Sequence, residues 1–306
     1  LIDDIMHLYA KGVINNRRKG FNEGKLVASA AIGSRSLYDF IDDNPAVDFR
    51  PSDYVNDPYV ISLHNRMVSI NVAKAIDPTG QVAAEASAQT FYAGVSGIAD
   101  FVRGARRAPG GKSILMLSST TEDGKTSNIV PMLGDTAVVV PRGDVHYVVT
   151  EYGIAELHGK GVYQRVMELA QIAHPDFRNE LIETAKQRQY IFQDQLPPSF
   201  DDLLFLEDYK STMTLKNGKN VSFRPLLPSD EFAYRNFFYS LERETIFGRF
   251  FFYQELFTHE VAQLEWSSID YRKNMALIAL ARKGGHEEII GVGSYAASDG
   301  SSAEVA

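Results

Sequence analysis

The chain has 306 residues, a net charge of −8, no cysteine and a hydrophobic content of 44%. This length predicts two domains, the acidic balance argues against nucleic-acid or anionic-membrane partners, and the lack of cysteine excludes disulfides and thiolate metal sites. We find no run of about 18 apolar residues and no signal peptide, and we therefore expect a cytoplasmic protein.

Strand and helix patterns alternate from the first residue to about residue 195. The chain begins with an apolar helical periodicity that Gly12 ends. Further along, the patterns predict strands at 25–33, 67–76, 112–119, 136–141 and 146–151, and helices at 162–173 and 176–189. This alternation predicts an α/β fold with a mostly parallel sheet.

A change of composition follows at residues 193–202, which contain a Pro-Pro pair and read as a linker. Beyond it, a strand, an aromatic-rich helical stretch and two long strands predict an α+β unit. We predict three segments: a first domain at 1–195, a linker at 196–215 and a second domain at 216–306. Because the chain opens inside a helix pattern and stops inside a strand pattern, we expect a fragment of a longer protein.

A glycine-flanked turn, Gly94-Val95-Ser96-Gly97, precedes a short helix pattern. A phosphate loop is excluded, because Arg106 and Ser119 stand where the two Gly-Lys-Ser/Thr triplets need a glycine. A nucleophile elbow is disfavoured, since Ser96 is followed directly by Gly97. Two interpretations stay open: a plain tight turn, or a turn with positive φ whose amides face an anion at the helix N-terminus.

Basic and polar side chains follow this turn. Arg103, Arg106 and Arg107 are either a solvated basic face or a diphosphate clamp, since guanidinium groups match phosphate oxygens in a two-pronged geometry. The Ser/Thr-rich stretch 118–131 comes after a buried strand pattern, where open α/β sheets bind ligands. It is either a ligand-binding loop or a polar hairpin.

Carboxylate, amide and imidazole groups are scattered along the first domain. Asp57, followed by proline, predicts a helix cap, which leaves Asn56 free to bond elsewhere. Glu85 stands alone among small residues, either as a base or as a surface residue. The histidines show no metal-ligand spacing, so we predict no metal; they include His146, His158 and His174.

Six ordered stretches within residues 1–195 resemble the C-terminal half of the acetyl-CoA hydrolase/transferase family, nearest to its 4-hydroxybutyrate CoA-transferase-type members. The stretches are RPSDYVNDPYVI, MVSINVAKAIDPTGQVAAE, YAGVSGIADFVRGA, GGKSILMLSSTTEDGKTSNIVP, DVHYVVTEYGIAELHGK and IAHPDFRNEL. The resemblance implies a NagB/RpiA-like α/β fold. It also implies CoA transfer between small carboxylic acids, or thioester hydrolysis, with acyl-CoA as substrate and homo-oligomerisation left open.

The resemblance also implies roles for particular residues. The family's nucleophilic glutamate, which forms a glutamyl-CoA thioester, would lie a few residues upstream of Leu1. Gly97 would be the oxyanion donor and Asn56 the asparagine near the thioester, so these are the predicted catalytic residues. Ser96 and Glu122 depart from the family pattern. The predicted CoA contacts are Gly94, Ser96, Gly97, Ser118, Ser119, Thr120 and Lys125.

The second unit resembles the start of a GNAT acetyltransferase domain. The resemblance rests on VSFRPLLPSDE, NMALIALAR, EEIIGVGSYA and AEVA, and it implies a truncated GNAT unit that stops before its cofactor turn. We expect a CoA-transferase or acetyl-CoA hydrolase fused to this unit. The alternatives are a CoA or acyl-CoA sensor that regulates, or is fused to, a protein lysine acetyltransferase, and a purely structural role.

Overall fold

The computed structural model describes residues 1–87, 90–91, 94–195, 208–250, 255–266, 274–283, 286–297 and 302–305. The chain divides into two compact units. Unit 1 comprises Leu1–Ile76, Gly80–Leu117 and Leu133–Val148. Unit 2 comprises Asp77–Thr79, Ser118–Met132 and Val149–Ala306. Each unit is described separately.

Unit 1 contains short helices and short strands. Its helices are α1 (Asp3–Ala10), α2 (Arg35–Ile41), α3 (Ser52–Val55), α4 (Pro58–Ser62) and α5 (Ile98–Arg107). Its strands are β1 (Leu26–Ala28), β2 (Val47–Phe49), β3 (Val68–Val72), β4 (Ala75–Ile76), β5 (Val82–Ala83), β6 (Ala86–Ser87), β7 (Thr90–Phe91) and β8 (Lys112–Met116). Among the described residues, five strands, β3 to β7, follow one another between α4 and α5. Strand β9 (Tyr147–Thr150) begins in this unit.

Parallel pairing dominates the longer strands of unit 1. Strands β3 and β8 are parallel, with Ser69 opposite Ser113 and Asn71 opposite Leu115. Ser69, Ser113 and Leu115 are buried, as the two-residue period of a half-buried strand requires. Strands β1 and β2 are also parallel, whereas the two-residue pairs β4–β5 and β6–β7 are antiparallel. The predicted α/β fold with a mostly parallel sheet is therefore confirmed in this coarse form.

The glycine at position 104 lets α4 pack closely against α5. A Cβ at Gly104 of α5 would lie 2.5 Å from Cβ of Ile61 in α4, far inside van der Waals contact. Ile61 is 3% exposed, and Val102 and Ala105 of α5 are fully buried. The chain enters α4 through the predicted cap, since Asp57 Oδ1 accepts a 2.8 Å hydrogen bond from the Tyr59 amide. The predicted helix cap at Asp57 is confirmed.

Three predicted strands differ from the structure. Residues 136–141 form no strand, and their ladder is reduced to an isolated bridge between Val140 and Val82. The bridge partner Val82 belongs to β5, which has only two residues. Residues 136–141 therefore have no long strand beside them with which to form a ladder. The strand predicted at 25–33 is limited to β1, and that predicted at 67–76 divides into β3 and β4.

Unit 2 begins its regular structure with a short strand and two helices. These are β10 (Gly153–Glu156), α6 (Val162–Gln171) and α7 (Pro175–Gln187). Eight of the ten residues of α6 are buried, among them Arg165, Glu168 and Gln171, so this helix lies in the interior of unit 2.

The later part of unit 2 is an antiparallel sheet with helices. Its helices are α8 (Glu231–Tyr239), α9 (Arg243–Phe250) and α10 (His259–Trp266), preceded by a 3-10 turn at Pro228–Asp230. Its strands are β11 (Ser211–Thr214), β12 (Asn220–Pro225), β13 (Asn274–Lys283), β14 (His286–Ala297) and β15 (Ala303–Val305). The sheet order is β11-β12-β13-β14-β15, all antiparallel. Strand β11 falls inside the predicted linker 196–215, of which residues 196–207 lie outside the described residues.

A buried polar network joins α6 to α8 within unit 2. The Tyr163 hydroxyl of α6 lies 2.8 Å from Glu231 Oε2 and 2.9 Å from Gln195 Oε1. Glu231, which is fully buried, also lies 2.7 Å from His259 Nδ1. Burial, reinforced by the neighbouring Glu231 carboxylate, raises the pKa of Tyr163, so this hydroxyl stays protonated and can donate.

Candidate functional site

Gly97 is the N-cap residue of helix α5 and lies against the side chain of Asn56. Its φ is −77° and its ψ is 6°, and Gly94 also lacks a positive φ, so the turn does not have the positive φ that one of the two open interpretations supposed. The glycine is needed for close approach instead. A Cβ at Gly97 would lie 2.8 Å from Asn56 Nδ2 and 3.0 Å from Asn56 Cγ. Any larger residue here would push the carboxamide away.

The amides of this turn face negative charge from within the chain. The Ser96 amide donates a 2.6 Å hydrogen bond to Oε1 of Glu85, which is half-buried. No described residue accepts a hydrogen bond from the Gly97 amide, which stands at the N-terminus of the ten-residue α5. A helix N-terminus favours negative charge. The turn therefore holds one carboxylate through Ser96 and keeps the next amide available.

Asn56 stands at the C-terminal end of α3, where its amide donates to the Ser52 carbonyl at 2.8 Å. Its side chain is half-buried and has no hydrogen-bond partner among the described residues. The structure thus brings the two predicted catalytic residues, Asn56 and Gly97, into direct contact. Glu85 joins them through Ser96, whereas Gly94 is exposed and, among the described residues, no heavy atom beyond its chain neighbours lies within 4 Å of a Cβ placed on it.

The arginines after this turn have partners within unit 1. Arg103 Nε lies 2.7 Å from Asp144 Oδ2, and this hydrogen bond raises the pKa of Arg103. Arg106 donates to the carbonyl of Gly143 and lies 3.7 Å from Asp144 Oδ1. These two side chains fasten the turn around residue 144 to α5. Arg107 is exposed.

The Ser/Thr-rich loop of unit 2 is a short hairpin. Thr120 bridges Ser127, and Gly124 turns the chain with a φ of +69°, a conformation that favours glycine. The Asn128 carboxamide donates to the carbonyls of Ser118 and Thr120 at 2.9 and 2.8 Å. The predicted contacts Ser118 and Lys125 are exposed, and the Lys125 ammonium lies 3.9 Å from Asp123.

Ser119 is fully buried and holds Glu151, a residue that the sequence analysis did not single out. The Ser119 hydroxyl and amide donate to the Glu151 carboxylate at 2.6 and 3.0 Å. Burial alone would raise the pKa of Glu151, but these hydrogen bonds and the His174 charge outweigh it and lower the pKa. The signal was available, because Glu151 directly follows strand β9, at the kind of strand end where α/β sheets place functional groups.

Across the ranges that the structure describes, no group of three or more His, Cys, Asp or Glu residues could hold a metal ion. Among these residues no helix is long and apolar enough to cross a membrane.

In unit 1, the Gly97 amide at the start of α5 and the Asn56 carboxamide lie side by side in an α/β arrangement with a parallel β3–β8 pair. Residues 33–185 match the family described as "Acetyl-CoA hydrolase/transferase C-terminal domain". The chain belongs to this family, and the resemblance noted in its sequence is confirmed for these residues.

Curated relatives of this chain are CoA-transferases. It is 45% identical over 188 residues to a 4-hydroxybutyrate coenzyme A transferase from Clostridium kluyveri, an alignment covering 61% of this chain and 44% of the relative. It is 43% identical over 192 residues to a succinyl-CoA:cyclohexane-1-carboxylate CoA transferase from Geobacter metallireducens, covering 62% and 44%. The chain therefore spans less than half the length of these relatives.

Solved structures show the same relationship. RipA from Yersinia pestis is similar with a TM-score of 0.60 and 40% identity, over 62% of this chain and 43% of that one. A 4-hydroxybutyrate CoA-transferase from Porphyromonas gingivalis is similar with a TM-score of 0.53 and 41% identity, over 61% and 44%. About three fifths of the chain thus share the fold of the solved 4-hydroxybutyrate CoA-transferase.

Proposed function

We propose that this chain contributes the C-terminal part of an acyl-CoA:carboxylate CoA-transferase. One observation carries the proposal: in a member of this family, the Asn56 carboxamide rests on Gly97, whose amide has no acceptor among the described residues. An unpaired amide at a helix N-terminus is suited to a negative charge that exists only during a reaction.

In the proposed reaction, the nucleophile is a glutamate upstream of Leu1. Its carboxylate attacks the acyl-CoA carbonyl carbon, and the carbonyl oxygen becomes an oxyanion that accepts the Gly97 amide hydrogen. Collapse expels the CoA thiolate and leaves an acyl-glutamyl anhydride. The thiolate then attacks the glutamyl carbonyl, releases the first carboxylate and forms a glutamyl-CoA thioester. An acceptor carboxylate reverses these steps and leaves as the new acyl-CoA.

Asn56 would orient the reacting carbonyl. Its carboxamide carries both a donor and an acceptor, has no partner among the described residues, and lies beside Gly97. We assign it a role beside the thioester, in which it holds the carbonyl oxygen or the entering carboxylate close to the Gly97 amide.

The loop at 118–127 would line the CoA site. Ser118, Thr120 and Lys125 offer carbonyl, hydroxyl and ammonium groups to pantetheine or phosphate. Ser119 has a different role in this proposal, because its donors are both bonded to Glu151. It would act through Glu151, which it keeps ionised, rather than by touching the substrate.

The relatives favour an enzyme over a CoA sensor. Those named above and a probable butyrate:acetyl-CoA coenzyme A-transferase from Syntrophomonas wolfei are transferases. Substrates of this protein would accordingly be acyl-CoA thioesters and small carboxylic acids. Transfer rather than hydrolysis requires that water be kept from the glutamyl-CoA thioester.

The test uses a longer protein that includes the residues upstream of Leu1. Incubation with an acyl-CoA and a labelled carboxylate should produce labelled acyl-CoA. Borohydride reduction should trap the glutamyl-CoA adduct, and mass spectrometry should detect it. The 306-residue chain alone should show no turnover. If the longer protein forms neither the adduct nor the exchanged product, the proposed function is wrong; exchange by the short chain would show that the nucleophile is misplaced.

We also propose that residues from 216 onwards are the first part of a GNAT-type domain. The antiparallel order β11-β12-β13-β14-β15, with helices between β12 and β13, supports this assignment. A protein extended downstream of Ala306 should bind acetyl-CoA by calorimetry even when Gly97 is replaced. Failure of that extended protein to bind would remove the GNAT assignment and leave the CoA-transferase proposal untouched.

A further inference from the structure

Unit 1 contains a cavity of about 330 Å³ whose wall includes Val55, the chain neighbour of Asn56. It lies between the segment around residue 20, α4 with the turn after it, and α5. The residues that line it are Arg18, Lys19, Asn22, Val27, Tyr54, Val55, Val60, Ile61, His64, Asn65, Arg66, Met67, Val68 and Phe101. None of the eight predicted catalytic or CoA-contacting residues is among them.

The cavity is positively charged. Arg18, Lys19 and Arg66 line it, and no aspartate or glutamate does. The protein as a whole carries a charge of −8, so the local charge opposes the overall charge. Such a reversal at a concave site concentrates anions there.

The cationic side chains that line the cavity have few hydrogen-bond partners within the chain. Among the described residues, the guanidinium groups of Arg18 and Arg66 have no hydrogen-bond or ion-pair partner. Lys19 donates to one neutral acceptor, the Lys25 carbonyl, at 3.0 Å, and burial lowers the pKa of Lys19. Nδ1 of His64 is buried without a partner. A partly buried ammonium with a single neutral partner is stabilised by a nearby anion.

Arg66 holds a backbone conformation that an arginine rarely adopts. Its φ is +56°, in the left-handed region, and its amide is fixed by a 2.8 Å bond to the Pro109 carbonyl. Glycine would adopt this conformation without strain. A strained non-glycine residue that lines a cavity suggests that its side chain has a role there.

Apolar groups form much of the remaining wall. Val55, Val60, Ile61 and Phe101 come from α3, α4 and α5, and Val27, Met67 and Val68 complete it. An inorganic ion would leave this surface uncovered, whereas the apolar part of an organic ligand would bury it.

We propose that this cavity binds a small organic anion, whose carboxylate or phosphate group meets the three cationic side chains while a short apolar body lies against the valine, isoleucine and phenylalanine walls. Guanidinium groups suit both anions, because their paired N–H donors match two oxygens.

The test measures binding of hexanoate and phenyl phosphate to the 306-residue chain by titration calorimetry, with hexanamide and phenol as neutral analogues. Arg66→Gly removes one guanidinium and relieves the backbone strain, so the variant should unfold at or above the wild-type temperature. Lys19→Met removes the ammonium and keeps most of the stem. Arg17→Gly is the matched control, because Arg17 is an exposed neighbour that does not line the cavity.

We expect at least one anion to bind more tightly than its neutral analogue, and the one that does identifies the anionic group. Arg66→Gly and Lys19→Met should each weaken its binding at least tenfold, and Arg17→Gly should change it less than twofold. The proposal is overturned if neither anion binds better than its neutral analogue, or if binding survives in both cavity variants.

Discussion

Single atoms decide the geometry around Gly97. The space that a Cβ would need is filled by the Asn56 carboxamide. The sequence correctly marked this glycine as important, but the structural reason is close contact and not backbone conformation. A glycine in a turn suggests positive φ, whereas this one has ordinary φ and serves contact. Contact partners 41 positions apart cannot be inferred from local pattern, because they depend on how α3 and α5 pack.

Gly97→Ala should destabilise the chain and impair catalysis. The added Cβ overlaps Asn56 at 2.8 Å, which should lower the free energy of unfolding by about 1–3 kcal/mol. In the longer protein, displacement of the amide should reduce the CoA-exchange rate roughly 100-fold or more. Urea denaturation and the exchange assay measure the two effects.

Gly94→Ala is the control for stability, since nothing lies within 4 Å of its Cβ position. A second control is the pair Asn56→Ala with Gly97→Ala, which removes the overlapping group and should recover much of the lost stability. If Gly97→Ala unfolds like Gly94→Ala, the contact with Asn56 is not tight.

Ser119→Ala should make stability less dependent on pH. Because the pKa of Glu151 is lowered in the folded chain, this carboxylate contributes stability above its unfolded pKa and loses it as the pH falls through the folded pKa. Removing the Ser119 hydroxyl should therefore cost about 1 kcal/mol at neutral pH, a modest value because Glu151 is exposed. The difference should shrink below about pH 4.

Denaturation at several pH values measures this difference, and NMR titration should show a higher Glu151 pKa in the variant. Ser118→Ala is the matched control, because Ser118 is exposed. An equal loss at pH 7 and pH 3 would mean that Ser119 stabilises by packing alone.

At the scale of elements, helices were predicted better than strands. Helices α6 and α7 are present where their periodicity predicts them, because a helix satisfies its backbone within itself. Strands need a partner, and the run at 136–141 shows the difference: Val139 and Val140 both bond to Val82, and the ladder ends there. The β-propensity was correct, but the neighbouring edge is only two residues long.

Gly104→Ala tests the packing of α4 on α5. Alanine would normally favour a helix by about 1 kcal/mol over glycine, but its Cβ would lie 2.5 Å from the Ile61 Cβ and 3.1 Å from the Pro58 carbonyl oxygen. Overlap should outweigh propensity, with a net loss of about 2 kcal/mol in unfolding free energy. Thermal and urea unfolding measure it.

Gly143→Ala provides the comparison, since nothing lies within 4 Å of a Cβ there and its φ is not in the left-handed region. It should remain within about 0.5 kcal/mol of the wild type. A stabilised Gly104→Ala variant would show that propensity, not contact, governs this position.

On the scale of the whole molecule, the family match ends at residue 185 but unit 2 continues beyond it. Buried hydrogen bonds among Tyr163, Glu231 and His259 connect α6 to the later helices α8 and α10 of this unit. Sequence pattern located the change of composition near residue 195, and the boundaries drawn from it stay predictions. The sequence pattern could not show that the side chains of Tyr163 and Glu231, which are 68 residues apart, form a hydrogen bond.

Tyr163→Phe should loosen both sides of this network together. It leaves the buried Glu231 carboxylate short of a donor, a cost of about 1–3 kcal/mol. Amide hydrogen exchange should show faster exchange in α6 and in α8, with a lower free energy of unfolding. Tyr59→Phe is the control, because Tyr59 is 68% exposed. Faster exchange in α8 alone would indicate that α6 does not depend on the network.

The hydrogen bond from Ser96 to Glu85 limits what the start of α5 can receive. The Glu85 carboxyl group already occupies the Ser96 amide at this terminus, which leaves the single N–H of Gly97 for a further acceptor. A diphosphate presents several oxygens that need several donors, whereas one carbonyl oxygen is served by one N–H. The internal carboxyl group thus limits this end of the helix to a single acceptor atom.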